Sequence, residues 1–249
     1  MFYMQAFWFL DFLQLWLRGN GRGDLMDTIV GQAAAQVNEL SRKVPHGKHI
    51  ATGDIRRLAA QLYRQIDDKA IAHVLSLAQE LLEQHSWALG VIAFEWAYRA
   101  KEQYTLETYD IFYAWLKKYV RGWGDCDDFC THAFGELLRR HKELFAKTAE
   151  WTKDGDFWVR RAAAVILIPA ILKNDYAGID PYRISDALMY DSHDLVQKGY
   201  GWMLKCFSQM EPDSVRKYLA ANSMRMPRTA YRYAMEKFDA ETRAKLMAL

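Results

Sequence analysis

Asp154-Gly155-Asp156-Phe157-Trp158-Val159-Arg160-Arg161-Ala162-Ala163-Ala164-Val165-Ile166-Leu167 is echoed 37 residues later by Asp191-Ser192-His193-Asp194-Leu195-Val196-Gln197-Lys198-Gly199-Tyr200-Gly201-Trp202-Met203-Leu204. The shared pattern is an acid, a valine, a polar or basic pair, small residues and a leucine. A period near 40 residues, with small side chains where helices touch, predicts HEAT-like helical pairs stacked in a solenoid. A plain helical bundle is the alternative.

Outward from this stretch, the chain reads as helix after helix from Asp27 onward. Asp54 is a good N-cap for a helix over 54–62, with apolar residues at Ile55, Leu58, Ala59 and Leu62. Ile71, Val74, Leu75, Ala78, Leu81 and Leu82 keep the same spacing. Residues 87–100 are apolar nearly all round, as in a helix buried between others. Further helices are predicted over 106–120, 127–138, 158–172 and 195–208, then 212–221, 227–238 and 241–247. Pro212 and Pro227 stand at first-turn positions, where a missing N–H has no intrahelical partner. Pro169 lies inside an apolar helix and is expected to kink or end it. No strand pattern emerges. The 249 residues hold 31 Ala against 10 Val and only 5 Pro, and Ala loses no side-chain entropy in a helix. With 51% apolar and 26% charged residues, the chain is neither disordered nor collagen-like. The expected fold is all-α, a HEAT-like helical-repeat solenoid with a concave basic surface, formed as one domain over 26–249.

Residues 1–25 are read apart from that domain. Met1 to Leu17 is apolar, but Gln5, Asp11 and Gln14 interrupt it, and neither a basic n-region nor a cleavage site flanks it. It is also short of the roughly 20 residues a spanning helix needs. The expectation is a non-native extension or an extra helix, with Met26 as the natural start and no membrane association. Three cysteines without secreted-domain spacing argue for a reducing compartment, hence a cytoplasmic protein. The net charge of +2 provides no global basic field. From Gly199 to the end, however, nine basic residues oppose five acids, a local excess of +4 that suits a polyanion.

Several familiar chemistries are missing: no Gly-rich phosphate loop, no G-x-S-x-G elbow, no H-E-x-x-H and no dinucleotide fingerprint. Asp125-Cys126-Asp127-Asp128 opens like a calcium loop, but Cys130 stands where the turn requires Gly. Cys126, Cys130 and His132 lack the second cluster of a zinc site and read as buried helix thiols and their neighbour. No metal or cofactor is expected. What stands out is Arg121-Gly122-Trp123-Gly124-Asp125-Cys126-Asp127-Asp128. Asp125 and Asp128 suit a helix's first turn. Asp127 is four residues from Trp123, so indole and carboxylate share a face if the helix reaches back that far. Arg160 and Arg161 point about 100° apart, which leaves one of them to pair with an acid on a neighbouring helix. Trp202 sits beside glycines that permit close backbone approach.

Three blocks, Trp123-Gly-Asp-Cys-Asp127, Trp158-Val-Arg-Arg161-Ala-Ala and Gln197-Lys-Gly-Tyr-Gly-Trp202-Met-Leu, together resemble the AlkD-like DNA alkylation-repair glycosylases, built of HEAT-like repeats. Ile50-Ala-Thr-Gly-Asp-Ile-Arg-Arg57 is a weaker match, and the likeness runs from about Ile50 to Phe238. It implies that Asp127 is the catalytic aspartate, Trp123 and Trp202 the active-site tryptophans, and Arg161 a contact to the DNA backbone. The family commonly has Asp directly after the first tryptophan, where this chain has Gly124 and carries Asp125 one position on.

The implied reaction is hydrolysis of the N-glycosidic bond of a cationic base, such as 3-methyladenine or 7-methylguanine, in duplex DNA by a monomer. Alkylation already makes the base a good leaving group, so the sugar's developing positive charge is what needs an anion, a role for Asp127. Indole faces attract cations and pack on sugars, which suits Trp123 and Trp202. Arg161, Lys198, Arg225, Arg228 and Arg232 are the expected phosphate contacts. A non-catalytic DNA-binding relative and a protein-interaction solenoid are the alternatives.

Overall fold

The computed structural model describes residues 28–45 and 48–249, so the expectations for residues 1–25 and for Met26 lie outside the described residues. Every regular element among them is helical. The chain divides into two compact units, residues 1–111 and 112–249. No helix among the described residues is long and apolar enough to cross a membrane.

The first unit contains α1 (Ile29–Lys43), α2 (Thr52–Arg64), α3 (Ile71–Leu82) and α4 (Trp87–Arg99), and the start of α5 (Thr108–Tyr119). Helix α4 is buried continuously from Ala88 to Ala97, as its all-round apolar sequence requires, and packs on α1, α2 and α3. Its Trp96 indole N–H donates to the Ala59 carbonyl of α2 at 3.0 Å, which satisfies the ring's polar edge inside the core. Helix α2 begins two residues before its expected start. Ala51 is the N-cap, without a side-chain cap bond, and Asp54 falls in the first turn, where it pairs with Arg57.

The second unit carries α6 (Trp123–Thr131), α7 (Ala133–Arg140), α8 (Phe145–Glu150), α9 (Phe157–Val165), α10 (Ile168–Leu172), α11 (Pro181–Ala187), α12 (Asp194–Phe207), α13 (Pro212–Asn222), α14 (Arg228–Ala234) and α15 (Ala240–Met247). Helix α9 packs on both α6 and α12, and α12 packs on α14. Cys126 meets Trp158 and Asp127 meets Arg161, while Gly201 faces Ala230 and Lys205, one turn on, pairs with Glu236 just past α14. Contact positions therefore rise together along the partners, so α6, α9, α12 and α14 run parallel in one row. Phe112, Trp115, Phe129 and Phe134 form an aromatic cluster in this unit's core.

The internal repeat of the sequence is a repeat of turn chemistry. Asp154 Oδ1 accepts from the Asp156 N–H at 2.8 Å, and Asp191 Oδ1 accepts from the His193 N–H at 2.9 Å. Asp156 and His193 then cap α9 and α12, accepting from Trp158 N–H and Leu195 N–H. Each turn aspartate is also held by a cation from earlier in the chain, Asp154 by Lys117 at 2.9 Å and Asp191 by Arg160 at 2.6 Å.

Two predicted helices are split. The one over 127–138 breaks at His132, whose φ of −122° and ψ of −98° are not helical. Just before the break, the Thr131 hydroxyl donates to the Asp127 carbonyl at 2.6 Å, competing with the helical ladder. The one over 158–172 ends at Val165 and restarts at Ile168. Val165 is four residues before Pro169, where the proline ring would strike the carbonyl of a continuing helix.

Candidate active site

Helix α6 starts at Trp123, so Trp123 and Asp127 lie one turn apart on the same face. The helix starts there because Asp125 reaches back, its Oδ2 accepting from Gly122 N–H at 3.1 Å and Arg121 N–H at 3.2 Å. That capping role occupies Asp125 and leaves Asp127 as the carboxylate one turn beyond the tryptophan. Trp123 is 63% exposed, an unusual state for the largest apolar side chain.

Asp127 is fixed by Arg161. Arg161 Nε and Nη2 donate to Asp127 Oδ1 at 2.9 and 2.8 Å, and Nη2 also reaches Oδ2 at 2.8 Å. The remaining arm of the guanidinium donates to the Leu195 carbonyl in the first turn of α12. This forked geometry is the strong form of a charged hydrogen bond. Arg161 is only 5% exposed, so the residue implied to contact the DNA backbone instead ties α6 to α12 through α9. Arg160 is also paired, with Asp191, so both adjacent arginines meet acids.

Burial pushes the Asp127 carboxyl above the ordinary aspartate value, and Arg161 opposes that rise by favouring the charged form. Asp125 is likewise raised by burial, offset by the two backbone N–H groups it accepts from. Cys130, one turn from Cys126, is fully buried, and burial drives its thiol well up, which makes it an inert packing group rather than a nucleophile or ligand. Among the described residues no group of His, Cys, Asp and Glu is assembled to hold a metal.

Helix α12 supplies the other wall. Leu195, Gly199 and Trp202 follow one another at helical spacing, so the half-buried Trp202 shares the face over which Arg161 lies. A Cβ at Gly199 would sit 3.0 Å from Arg161 Cγ and 3.3 Å from its Nη1, so a bare backbone suits this crossing. One at Gly201 would sit 2.8 Å from the Ala230 carbonyl oxygen and 2.8 Å from Tyr233 Cβ, which is how α14 comes so close.

Of the remaining basic residues, Lys198 is near Arg161 and the three arginines lie in or just before α14. Lys198 is bound to Asp194 at 2.6 Å. Arg225 is exposed in the turn after α13 and donates to Asn222. Arg228 begins α14, with its guanidinium 5.7 Å from the Tyr231 ring centre and 3.6 Å from the Met247 sulfur. Arg232 is exposed one turn further on. The sequence reading missed two participants. Asp194 was detectable as an acid four residues before Lys198; the Leu195 carbonyl, being main chain, left no signal.

Helices α6, α9, α12 and α14 form a helical row that carries a carboxylate, an arginine and two tryptophans. The family model described as "DNA alkylation repair enzyme" matches residues 48–238, and the chain belongs to that family. Three solved structures share the fold. A predicted DNA alkylation repair enzyme from Enterococcus faecalis is 15% identical, with a TM-score of 0.61 over 85% of this chain and 95% of its own. The protein smu.31 from Streptococcus mutans UA159 is 19% identical, with a TM-score of 0.58 over 85% of this chain and 100% of its own. AlkD2 from Streptococcus mutans is 20% identical, with a TM-score of 0.57 over 84% and 100%. No curated protein matches the chain by sequence.

Proposed function

We propose that this chain is a DNA glycosylase that hydrolyses the N-glycosidic bond of cationic alkylated purines, of the 3-methyladenine or 7-methylguanine type, in duplex DNA. The observation that carries the reading is the Asp127 carboxylate, held in a fork by Arg161 on the helix face that bears the exposed Trp123. Membership of an alkylation-repair family supports the same lesion class.

The chemistry follows from the leaving group. A cationic alkylpurine departs without protonation, so the barrier lies in the positive charge that grows on the deoxyribose. A fixed carboxylate lowers that barrier electrostatically and orients the attacking water. Partial burial strengthens the interaction by removing competing solvent. The indoles of Trp123 and Trp202 offer π-faces to the cationic base and apolar surface to the sugar. Arg161 is a positioning residue in this scheme: it keeps Asp127 charged and aimed, and does not itself touch a phosphate. Arg225, Arg228, Arg232 and Lys198 supply the contacts to the DNA backbone.

Release of free methylated base from alkylated duplex DNA is the test. Asp127→Asn should abolish release while DNA binding persists. Release by Asp127→Asn at the wild-type rate overturns the reading.

A further inference from the structure

Helix α12 carries Asp194, Lys198 and Trp202 at successive four-residue steps, and Lys205 close to the same direction. Both lysines on this stripe are already occupied. Lys198 Nζ lies 2.6 Å from Asp194 Oδ2, and Lys205 Nζ lies 2.9 Å from Glu236 Oε1. The carboxylates are the solvent-facing partners, with 58% and 51% of their side chains exposed against 35% and 20% for the lysines. These pairs differ from the Asp127–Arg161 fork, which is inward and held by several hydrogen bonds.

We propose that Asp194 and Glu236 are built-in competitors for DNA phosphate, which occupy Lys198 and Lys205 in the free protein and are displaced when a duplex docks on α12. The inference rests on the DNA-binding part of the function proposed above and adds a selectivity device to it. An exposed ion pair four residues apart on a helix is worth only about a factor of two in an equilibrium. A phosphate, which also releases condensed counterions, displaces such a carboxylate readily. The released carboxylate faces the DNA and recruits a cation from solution, which flattens the salt dependence. Undamaged duplex, with backbone contacts alone, is thereby held weakly, whereas a lesion adds the contacts to Trp123, Asp127 and Trp202. Lys198 is also near Tyr233 and Arg161, so its release toward a phosphate lies beside the proposed reaction site.

Binding of a fluorescent undamaged duplex, measured by anisotropy over a range of salt concentrations, tests this with the full chain. Asp194→Asn is expected to tighten binding about two- to fivefold at low salt and to steepen the slope of log K against log salt by up to about 0.9. Glu236→Gln should act in the same direction. In a Lys198→Gln background, Asp194→Asn should lose most of its effect, because there is no ammonium left to free. Thermal melting of each variant shows that the fold is retained. If wild type binds but Asp194→Asn leaves affinity and slope unchanged, the competitor role is overturned and the glycosylase reading stands. The competitor role fails equally if the gain persists undiminished without Lys198, since that would be a general charge effect. Failure of wild type to bind any duplex overturns both.

Discussion

Arg161 commits its guanidinium to two partners, the Asp127 carboxylate and the Leu195 carbonyl, at a position only 5% exposed. Removing it leaves a part-buried carboxylate without its cation, and losing one member of a buried pair typically costs about 3–5 kcal/mol. The same change acts on chemistry. Burial already raises the Asp127 pKa, and Arg161 is the group that opposes the rise. In Arg161→Met the carboxyl should therefore gain its proton at higher pH, and the acid limb of the base-release profile should move upward. Arg161→Lys should recover part of that shift, since it restores charge without the fork. A profile that stays in place while activity falls would make Arg161 a phosphate contact after all. The sign for folding is separate. With its folded pKa above the ordinary value, Asp127 contributes stability that is complete below that value and is lost as pH rises through the folded pKa. That Trp123 and Asp127 share one helix face was legible in the sequence, because spacing on one helix is a local property. Spacing predicted that one of Arg160 and Arg161 meets an acid but did not name Asp127 as the partner of Arg161, because that acid lies 34 residues away and nothing local records that distance.

Helices α7 and α10 are joined by charge as well as by apolar contact. Glu136 on α7 is 1% exposed, and it accepts from Arg139 at 2.9 and 2.7 Å, Arg140 at 2.9 Å and Lys173, just past α10, at 2.7 Å. Asp175 extends the network to Arg139 and Lys142. Burial alone would push the Glu136 carboxyl up, but the hydrogen bonds from Arg139, Lys173 and Arg140 hold it down to about 2. A depressed folded value means that its stabilisation is present in full above the ordinary glutamate pKa. It is lost as pH falls from about 4.5 toward about 2. Glu136→Gln should lower stability by about 3 kcal/mol near neutral pH, the lower end for a broken buried pair because the cations are partly exposed. Urea unfolding at neutral and acid pH checks it: the gap between variant and wild type should narrow on acidification. A gap that does not change with pH would show packing, not charge, at this junction. Elements were the most legible level of the sequence. The alternation of apolar residues located α3, α4 and α12 closely, and Pro169 marked the α9–α10 break. The break between α6 and α7 was hidden because its cause is a threonine hydroxyl bonded within the helix and a residue, His132, of unremarkable propensity. The repeat was legible because turn aspartates recur with their helices.

At the level of the whole molecule, a net charge of +2 says little about DNA, because the cations are sorted by what holds them. Arg160, Arg161, Arg139 and Lys173 are spent on acids within the fold. Arg225 and Arg232 are exposed, and Arg228 begins α14 beside Tyr231. The local excess of +4 from Gly199 onward is spread over α12 to α15, and Arg225, Arg228 and Arg232 are its members in and just before α14, the last helix of the row. If α14 and the turn before it form the phosphate-gripping end of that row, their contribution is electrostatic and blind to sequence and damage. Replacing Arg225, Arg228 and Arg232 together by Gln should weaken binding to methylated and unmethylated duplexes by the same factor. It should also reduce the slope of log K against log salt by up to about 2.7, since each lost phosphate contact accounts for about 0.9. Anisotropy titrations on paired duplexes, one methylated and one not, measure both quantities. Loss confined to the methylated duplex would mean that these arginines read the lesion instead of the backbone. An unchanged slope would mean that the duplex lies elsewhere on the second unit, and the basic excess near the end of the chain would then owe its place to solubility.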